Sequence, residues 1–235
     1  MIFVSFFTGQ FAFFKGYLSR VGSRLLGSGS AADSASEKYA APSTASSAPI
    51  HIAIFASGAG TNARKIIEYF ENKGLRFKVS LIVCNVPGAG VLEIAKEKGI
   101  PSLIINKTDF TATGYVESLQ NADINFIVLA GFLWKVPEVL VKAYPKAIIN
   151  IHPALLPKYG GKGMYGARVH ETVIAAGEKQ SGITIHWVNE HYDEGAIIFQ
   201  AKCSIDANDT ADTLANKIHA LEHAHFAPTI EKLLG

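Results

Sequence analysis

The chain has 235 residues, of which 49% are hydrophobic and 18% are charged, a balance typical of one globular domain with a sizeable core. A net charge of +2, without a basic stripe, does not indicate a nucleic-acid-binding protein. The two cysteines, Cys84 and Cys203, lie far apart and have no second thiol or histidine at a ligand spacing. We therefore expect neither a disulfide framework nor a metal site.

Residues 1–49 differ in composition from the rest of the chain. They are apolar and aromatic up to Leu26, rich in Ser, Ala and Gly from Gly27 to Pro49, and carry no acidic residue before Asp33. The longest uncharged stretch, Met1 to Phe14, is too short to span a membrane. The segment is either an organellar transit peptide or an upstream extension without function, and Gly27 to Pro49 is predicted to be a disordered linker in both cases. We expect a protein of the cytoplasm or of an organelle interior, not a secreted one.

From Ile50 onward, short apolar runs alternate with segments of helical spacing. The helical segments are Asn62 to Asn72 and Gly90 to Lys98. The runs predict strands at Ile50 to Ala56, Val79 to Cys84, Ser102 to Ile105, Phe126 to Ala130 and Ala147 to Ile151. Nearly continuous apolar strands that alternate with helices predict an α/β fold with a doubly wound, mostly parallel sheet.

The rest of the chain completes this one predicted domain, residues 50–235. Gly182 to Asn189 and Ala196 to Ser204 are predicted to be two further strands, which include an antiparallel edge. A helix from Thr210 to Leu233 is expected to close the domain. Nothing in the sequence specifies an oligomeric state.

A glycine-rich turn, Ser57 to Asn62, follows the first predicted strand and precedes a helix. Glycines let the backbone approach an anion, and the free amide groups of a helix start can hold a phosphate. The turn also fits a loose dinucleotide pattern, but the second strand ends in Cys84-Asn85 where an NAD site needs an acidic residue. A phosphate monoester, as on a ribonucleotide, is favoured; the alternative is a structural glycine turn.

Asn150 and His152 follow directly on the last parallel strand. Side chains of a strand alternate, so the two lie on one face at the edge where open α/β sheets bind ligands. An amide donor beside an imidazole suits chemistry on a carbonyl group, because one can hold a developing oxyanion while the other moves protons. The alternative is a histidine that only satisfies a loop backbone.

Taken together, these motifs resemble those of the phosphoribosylglycinamide formyltransferases. The resemblance is carried by Leu129 to Phe132 (Leu-Ala-Gly-Phe), Asn150 to Tyr159 (Asn-Ile-His-Pro-Ala-Leu-Leu-Pro-Lys-Tyr), Gly182 to His186, Asp193 to Gly195 and Leu221 to His223. It spans residues 50–235 with the order and approximate spacing of the family. It implies a Rossmann-like formyltransferase fold and transfer of a formyl group from 10-formyltetrahydrofolate, the co-substrate, to the amine of glycinamide ribonucleotide in purine biosynthesis.

The resemblance also implies roles for particular residues. Asn150 and protonated His152 would stabilise the tetrahedral oxyanion, and Asp193 would hold the imidazole and raise its pKa. Gly60, Thr61 and Asn62 would bind the substrate phosphate and Glu222 the ribose, while Leu133, Trp134, Lys135 and Val136 would line the pteridine pocket. Neither a metal nor a covalent enzyme intermediate is expected. The alternative for Trp134 is a core aromatic side chain.

Two segments depart from the family pattern. Phe110 to Gln120 lacks the arginine with which usual members reach the folate, and Gly160 to Gly166 is a glycine-rich loop in place of a shorter stretch. The glycines suit a mobile lid. Lys162 in this loop is either a replacement for the missing cation or a solvated surface lysine.

Three other functions compete with this interpretation. Methionyl-tRNA formyltransferase and formyltetrahydrofolate hydrolase share the Asn-His-Asp set, but the first has a further C-terminal domain and the second an N-terminal regulatory domain that residues 1–49 cannot form. The third is a non-catalytic nucleotide-binding module. Such a module has no need of Asn150, His152 and Asp193 together.

Overall fold

Seven β-strands form one sheet in the computed structural model, which describes residues 49–73 and 76–235. The strands are β1 (Ile50–Ala56), β2 (Phe77–Cys84), β3 (Ser102–Ile104), β4 (Ile124–Leu129), β5 (Ile148–His152), β6 (Gln180–Trp187) and β7 (Ile197–Ser204). The described helices are α1 (Thr61–Lys73), α2 (Gly90–Glu97), α3 (Lys107–Thr111), α4 (Thr113–Asn121), α5 (Glu138–Ala143), α6 (Ala167–Ala175) and α7 (Ala211–Leu234).

All the predicted strands and helices of residues 50–235 are present, and their ends differ from the prediction by no more than two residues. Helices α3 to α6 were not predicted, because each is short and lies between stronger apolar signals. Apart from Pro49, the predicted transit peptide or extension of residues 1–49 lies outside the described residues. No helix within residues 49–73 and 76–235 is long and apolar enough to cross a membrane.

The order of the strands in the sheet is β3-β2-β1-β4-β5-β6-β7. Strands β1 to β5 are parallel to one another. Strand β6 pairs antiparallel with β5, and β7 pairs antiparallel with β6. The predicted mostly parallel sheet with an antiparallel edge is therefore confirmed. The chain crosses from β3 on one side of β1 to β4 on the other, so the loops after β1 and β4 separate and leave a crevice at the carboxyl edge of the sheet.

The core lies on both faces of the central strands. Ile52 to Phe55 in β1 are inaccessible to solvent, because helices cover both faces of the sheet. Helices α1, α2, α6 and α7 pack together as one group, and α3, α4 and α5 form another. Phe55 extends from β1 into an aromatic cluster with Phe110 and Phe132, at ring-centroid distances of 6.3 and 5.4 Å. This cluster anchors the segment that follows β4 and borders the crevice.

Candidate active site

A cavity of about 880 Å³ opens in the crevice at the carboxyl edge of the sheet. It lies where the loops after β1, β4 and β5 meet, the position expected for a ligand in an open α/β sheet. All the site residues predicted from the sequence line it: Gly60, Thr61, Asn62, Leu133, Trp134, Lys135, Val136, Asn150, His152, Asp193 and Glu222. The fold thus joins distant segments of the chain, such as Asn62 and Glu222, which are 160 residues apart in the sequence.

One end of the cavity is formed by the start of α1. Helix α1 begins at Thr61, directly after Gly60, and its first intrahelical hydrogen bond runs from the Arg64 amide to the Gly60 carbonyl. The amide groups of the first turn therefore have no helical partner, which makes this end suitable for an anion. Gly60 has a φ of +76°, and a Cβ there would lie 2.7 Å from Cβ of Val91. Glycine is required at this position by both conformation and space.

Glu222 closes this end from the side of α7. Its carboxylate is buried and accepts hydrogen bonds on Oε2 from Asn62 Nδ2 at 2.9 Å and from His219 Nδ1 at 3.0 Å. The hydrogen bond with Glu222 raises the pKa of His219. An imidazole with a raised pKa and the free amide groups of α1 thus border the same end of the cavity.

A second part of the cavity is aromatic. Trp134 is half-buried, and its ring centroid lies 6.0 Å from that of Phe110 and 6.3 Å from that of Phe132. Lys107 Nζ lies over the Trp134 ring, 5.8 Å from its centroid. Leu133 is 47% exposed, whereas Val136 is buried. Trp134 therefore lines the cavity and packs on the aromatic cluster at the same time.

The hydroxyl group of Ser57 fixes the turn between these two ends. It donates a hydrogen bond to Asn85 Oδ1 after β2 and accepts one from the Leu133 amide at 2.9 Å. The Ser57 amide also donates to the Gly131 carbonyl at 3.0 Å. One residue thus links the carboxyl ends of β1, β2 and β4, and it places the glycine turn beside the Leu133 segment.

Asn150, His152 and Asp193 meet in the middle of the cavity. Asp193 Oδ2 lies 3.6 Å from His152 Nδ1, and Asp193 Oδ1 lies 3.5 Å from Asn150 Nδ2. His152 Nε2 lies 2.7 Å from the Tyr159 carbonyl oxygen, which can only accept, so this nitrogen carries the proton and Nδ1 faces the carboxylate. The carboxylate is therefore placed to stabilise a second proton on the ring.

Burial opposes that charge. It lowers the pKa of His152 below its ordinary value, and the raising effects of Asp193 and of the Tyr159 carbonyl do not overcome it. Asp193 thus raises the pKa of His152, as expected from the sequence, but burial outweighs this effect and the net shift is downward. The reason is that His152 is only 3% exposed, which a sequence does not reveal.

Asp193 itself remains ionised in this setting. Burial alone would raise its pKa, but His186, the charge of His152 and a hydrogen bond from the Gly161 amide at 2.9 Å together hold it below the ordinary value. Asp193 adopts a φ of +57°, which aspartate tolerates better than most residues. Gly195 then passes so close to β6 that a Cβ would lie 1.6 Å from the Trp187 carbonyl oxygen. The spacing of Asp193 and Gly195 thus reflects the backbone conformation of this turn and its close approach to β6.

Comparison with known proteins gives the family. Residues 50–230 match formyl transferases. The chain belongs to the formyl transferase family. It is 40% identical over 185 residues to the chloroplastic phosphoribosylglycinamide formyltransferase of Arabidopsis thaliana, covering 76% of this chain and 63% of that protein. It is 37% identical to phosphoribosylglycinamide formyltransferase of Bacillus subtilis (strain 168), and the match covers 78% of this chain and 94% of that protein.

A solved structure gives the same result for this formyl transferase. The phosphoribosylglycinamide formyltransferase of Bacillus halodurans superposes with a TM-score of 0.72 at 39% identity, covering 79% of this chain and 95% of that one. The α/β formyltransferase fold predicted from the sequence is thereby confirmed. The chain spans about 60% of the length of the two plant relatives from Arabidopsis thaliana and Vigna unguiculata.

Some polar and basic residues that line the cavity were not predicted from the sequence, among them Lys107, His170, His186 and His219. His186 pairs with Asn150 across β5 and β6; its Nδ1 donates to the Trp187 carbonyl, so its Nε2 accepts from Asn150 Nδ2 at 3.1 Å. This fixes the orientation of the Asn150 amide. A signal for His219 existed, since it lies one helical turn before Glu222.

The two departures from the family pattern both border the cavity. Lys162 lies at the rim of the cavity and is exposed. Lys107 precedes the segment that lacks an arginine and supplies a further cation over the Trp134 ring. Lys135 lies over the Tyr192 ring at 5.5 Å. Among the described residues, no group of three or more His, Cys, Asp or Glu side chains is arranged to hold a metal ion.

Proposed function

We propose that the protein transfers a formyl group from 10-formyltetrahydrofolate to the amine of glycinamide ribonucleotide, a step of purine biosynthesis. The observation that carries this proposal is the meeting of Asn150, His152 and Asp193 in one cavity that also has an end suited to an anion and an aromatic wall. Two substrates that occupy these two parts of the cavity would react at the three side chains. The relatives named phosphoribosylglycinamide formyltransferase support the same activity.

The ribonucleotide is assigned to the end formed by α1 and α7. Gly60, Thr61 and Asn62 would hold its phosphate through the amide groups of the first helical turn, and His219 would add positive charge. Glu222, with Asn62 and His219 both bonded to Oε2, would accept hydrogen bonds from the ribose hydroxyls. The amine would then point toward His152.

The formyl donor is assigned to the end formed by Leu133, Trp134, Lys135 and Val136. A pteridine is flat and aromatic, and the half-buried Trp134 beside Phe110 provides a surface of the same kind. Lys107 and Lys135, at the rim, are placed to meet negative charge on the donor. The formyl carbon would lie beside Asn150.

The proposed chemistry is addition to a carbonyl followed by elimination. The amine forms a bond to the formyl carbon, and the carbonyl electron pair moves onto oxygen, where Asn150 Nδ2 and the His152 imidazolium stabilise it. Asp193 stabilises the proton on His152 Nδ1. Donation from Nε2 requires its proton to leave the Tyr159 carbonyl, so the Tyr159 to Gly161 segment must shift during the cycle. The attacking amine loses a proton, the bond from the formyl carbon to the donor nitrogen breaks as that nitrogen takes up a proton, and the carbonyl re-forms. The proposal involves no metal and no covalent enzyme intermediate.

One assay tests the proposal. The full chain is incubated with 10-formyltetrahydrofolate, with and without glycinamide ribonucleotide, and the loss of the formyl group is followed. We expect turnover only when the ribonucleotide is present. Turnover without the ribonucleotide would indicate a hydrolase instead. No turnover in either case would indicate a non-catalytic nucleotide-binding module.

We further propose that residues 50–235 are the catalytic domain and that residues 1–49 direct the protein to an organelle. The basic, acid-poor start of the chain supports this, and the plant relatives are named chloroplastic. The test fuses residues 1–49 to a fluorescent reporter. An organellar signal is expected, whereas cytosolic fluorescence would identify the segment as an extension without targeting function.

A further inference from the structure

His170 is a buried polar side chain of the cavity that the proposed reaction leaves unused. It lies on α6, is 5% exposed and lines the cavity. Neither ring nitrogen forms a hydrogen bond with a residue that the structure describes, and Nδ1 is fully covered by protein. Burying an imidazole without partners is unfavourable, so such a group needs an explanation.

The position of His170 follows from the packing of α6. Val169, His170 and Val173 form the buried face of this helix, and that face packs against α7, which carries Glu222 and His219. A valine or leucine would fill this space without the penalty that a polar ring incurs. Packing alone therefore gives no reason for a histidine here.

His170 lies between the two functional parts of the cavity. Burial lowers its pKa, His219 and His152 lower it further and Glu222 raises it, so these three titratable side chains are its neighbours. His219 and Glu222 mark the end assigned to phosphate and ribose, and His152 marks the reaction centre. His170 lines the same cavity as both parts.

A second unpaired atom lies at the same place. Oδ1 of Asn62 is buried and has no hydrogen-bond partner among the described residues, although Nδ2 of the same side chain bonds to Glu222. Both atoms are covered by protein, but Nε2 of His170 also has no partner and is not fully covered, so a ligand in the cavity can reach it. Hydroxyl and amide groups of a ligand can supply the missing hydrogen bonds.

We propose that His170 is a binding residue that hydrogen-bonds to the ribose and glycinamide part of the ribonucleotide, between its phosphate and its amine. This rests on the proposed function. The imidazole is neutral in this role and offers one donor and one acceptor. It contributes to the choice of substrate, because a ligand that lacks the matching polar group would leave the ring unpaired.

The test compares His170→Phe, which keeps the ring shape without nitrogen, with His170→Gln, which keeps a polar group near the position of Nε2. His225→Phe is the matched control, since His225 lies on α7 outside the cavity and contacts Phe199. Dissociation constants are measured by calorimetry for glycinamide ribonucleotide, inorganic phosphate and 10-formyltetrahydrofolate. We expect His170→Phe to weaken ribonucleotide binding about tenfold to a hundredfold, with partial recovery in His170→Gln. Binding of phosphate and of the donor stays unchanged.

Other outcomes overturn the proposal. An unchanged ribonucleotide affinity in His170→Phe does so, as does an equal loss for all three ligands with a fall in melting temperature, which marks a packing residue. If His170→Phe does not fold, ¹⁵N spectra of the His170 ring in the wild-type protein decide: the ribonucleotide must shift the resonance, and no shift refutes the contact. A wild-type protein that binds no ribonucleotide would refute the proposed function itself, which is a separate result.

Discussion

Replacing Asp193 by asparagine removes the charge beside His152 and keeps the shape of the side chain. The carboxylate Oδ2 lies 3.6 Å from His152 Nδ1. At an effective dielectric constant of about 20, two opposite unit charges at that distance attract by about 4 to 5 kcal/mol, before the cost of desolvation. An opposite charge this close changes a pKa by about one to three units.

The sign of the effect follows from the environment of His152. Burial already lowers the pKa of this imidazole, and Asp193 raises it. Without the carboxylate the largest raising effect is lost, so the pKa falls further and the protonated fraction at neutral pH drops about tenfold for each unit. Because the proposed reaction needs the imidazolium, we expect turnover of Asp193→Asn to fall by about a hundredfold or more.

The assay measures turnover from pH 5 to 9 at saturating concentrations of both substrates for the wild type, Asp193→Asn, His152→Ala and the double variant. Asp209→Asn is the control, because Asp209 is also ionised but pairs with Lys217 outside the cavity. In Asp193→Asn the pH dependence assigned to His152 should move to lower pH. The double variant should be little worse than either single variant, since the two residues act as one unit. Near-normal turnover in Asp193→Asn, or fully additive losses, would refute the pairing.

Three further predictions concern the ends of the cavity and the end of the chain. Gly58→Ala is expected to weaken ribonucleotide binding, and its melting temperature should stay unchanged because a Cβ at Gly58 meets nothing within 4 Å. Gly60→Ala should lower the melting temperature, because its Cβ would contact Val91. Equal melting temperatures for the two variants would contradict this. Trp134→Ala should raise the Michaelis constant for the formyl donor about tenfold and leave that for the ribonucleotide nearly unchanged, with Trp134→Phe intermediate; the reverse order in steady-state kinetics would make Trp134 a core residue. Deleting residues 1–49 should leave activity and melting temperature almost unchanged, and a loss of several degrees in a thermal melt would show that the segment packs on the domain.

The sequence by itself determined the class of fold and the ligand-facing ends of the strands. Runs such as Ile50 to Ala56 are apolar at nearly every position because their strands are buried on both faces. This pattern does not depend on which other strands lie beside them in the sheet. The turn at Gly60 and the Asn150 to His152 segment were recognisable because several functional residues lie close together in the chain. Each of these signals is local, so it could be read without coordinates.

Only the tertiary structure decided which distant side chains join them. His186 faces Asn150 through the antiparallel register of β5 and β6, and His170 reaches the cavity because α6, a helix not predicted from the sequence, packs against α7. The direction of the His152 pKa shift also depended on the fold, because the balance between burial and the charge of Asp193 is set by how completely the neighbouring chain segments cover the ring. Packing between distant segments controls register, burial and pairing of charges, and none of these is encoded in a local pattern.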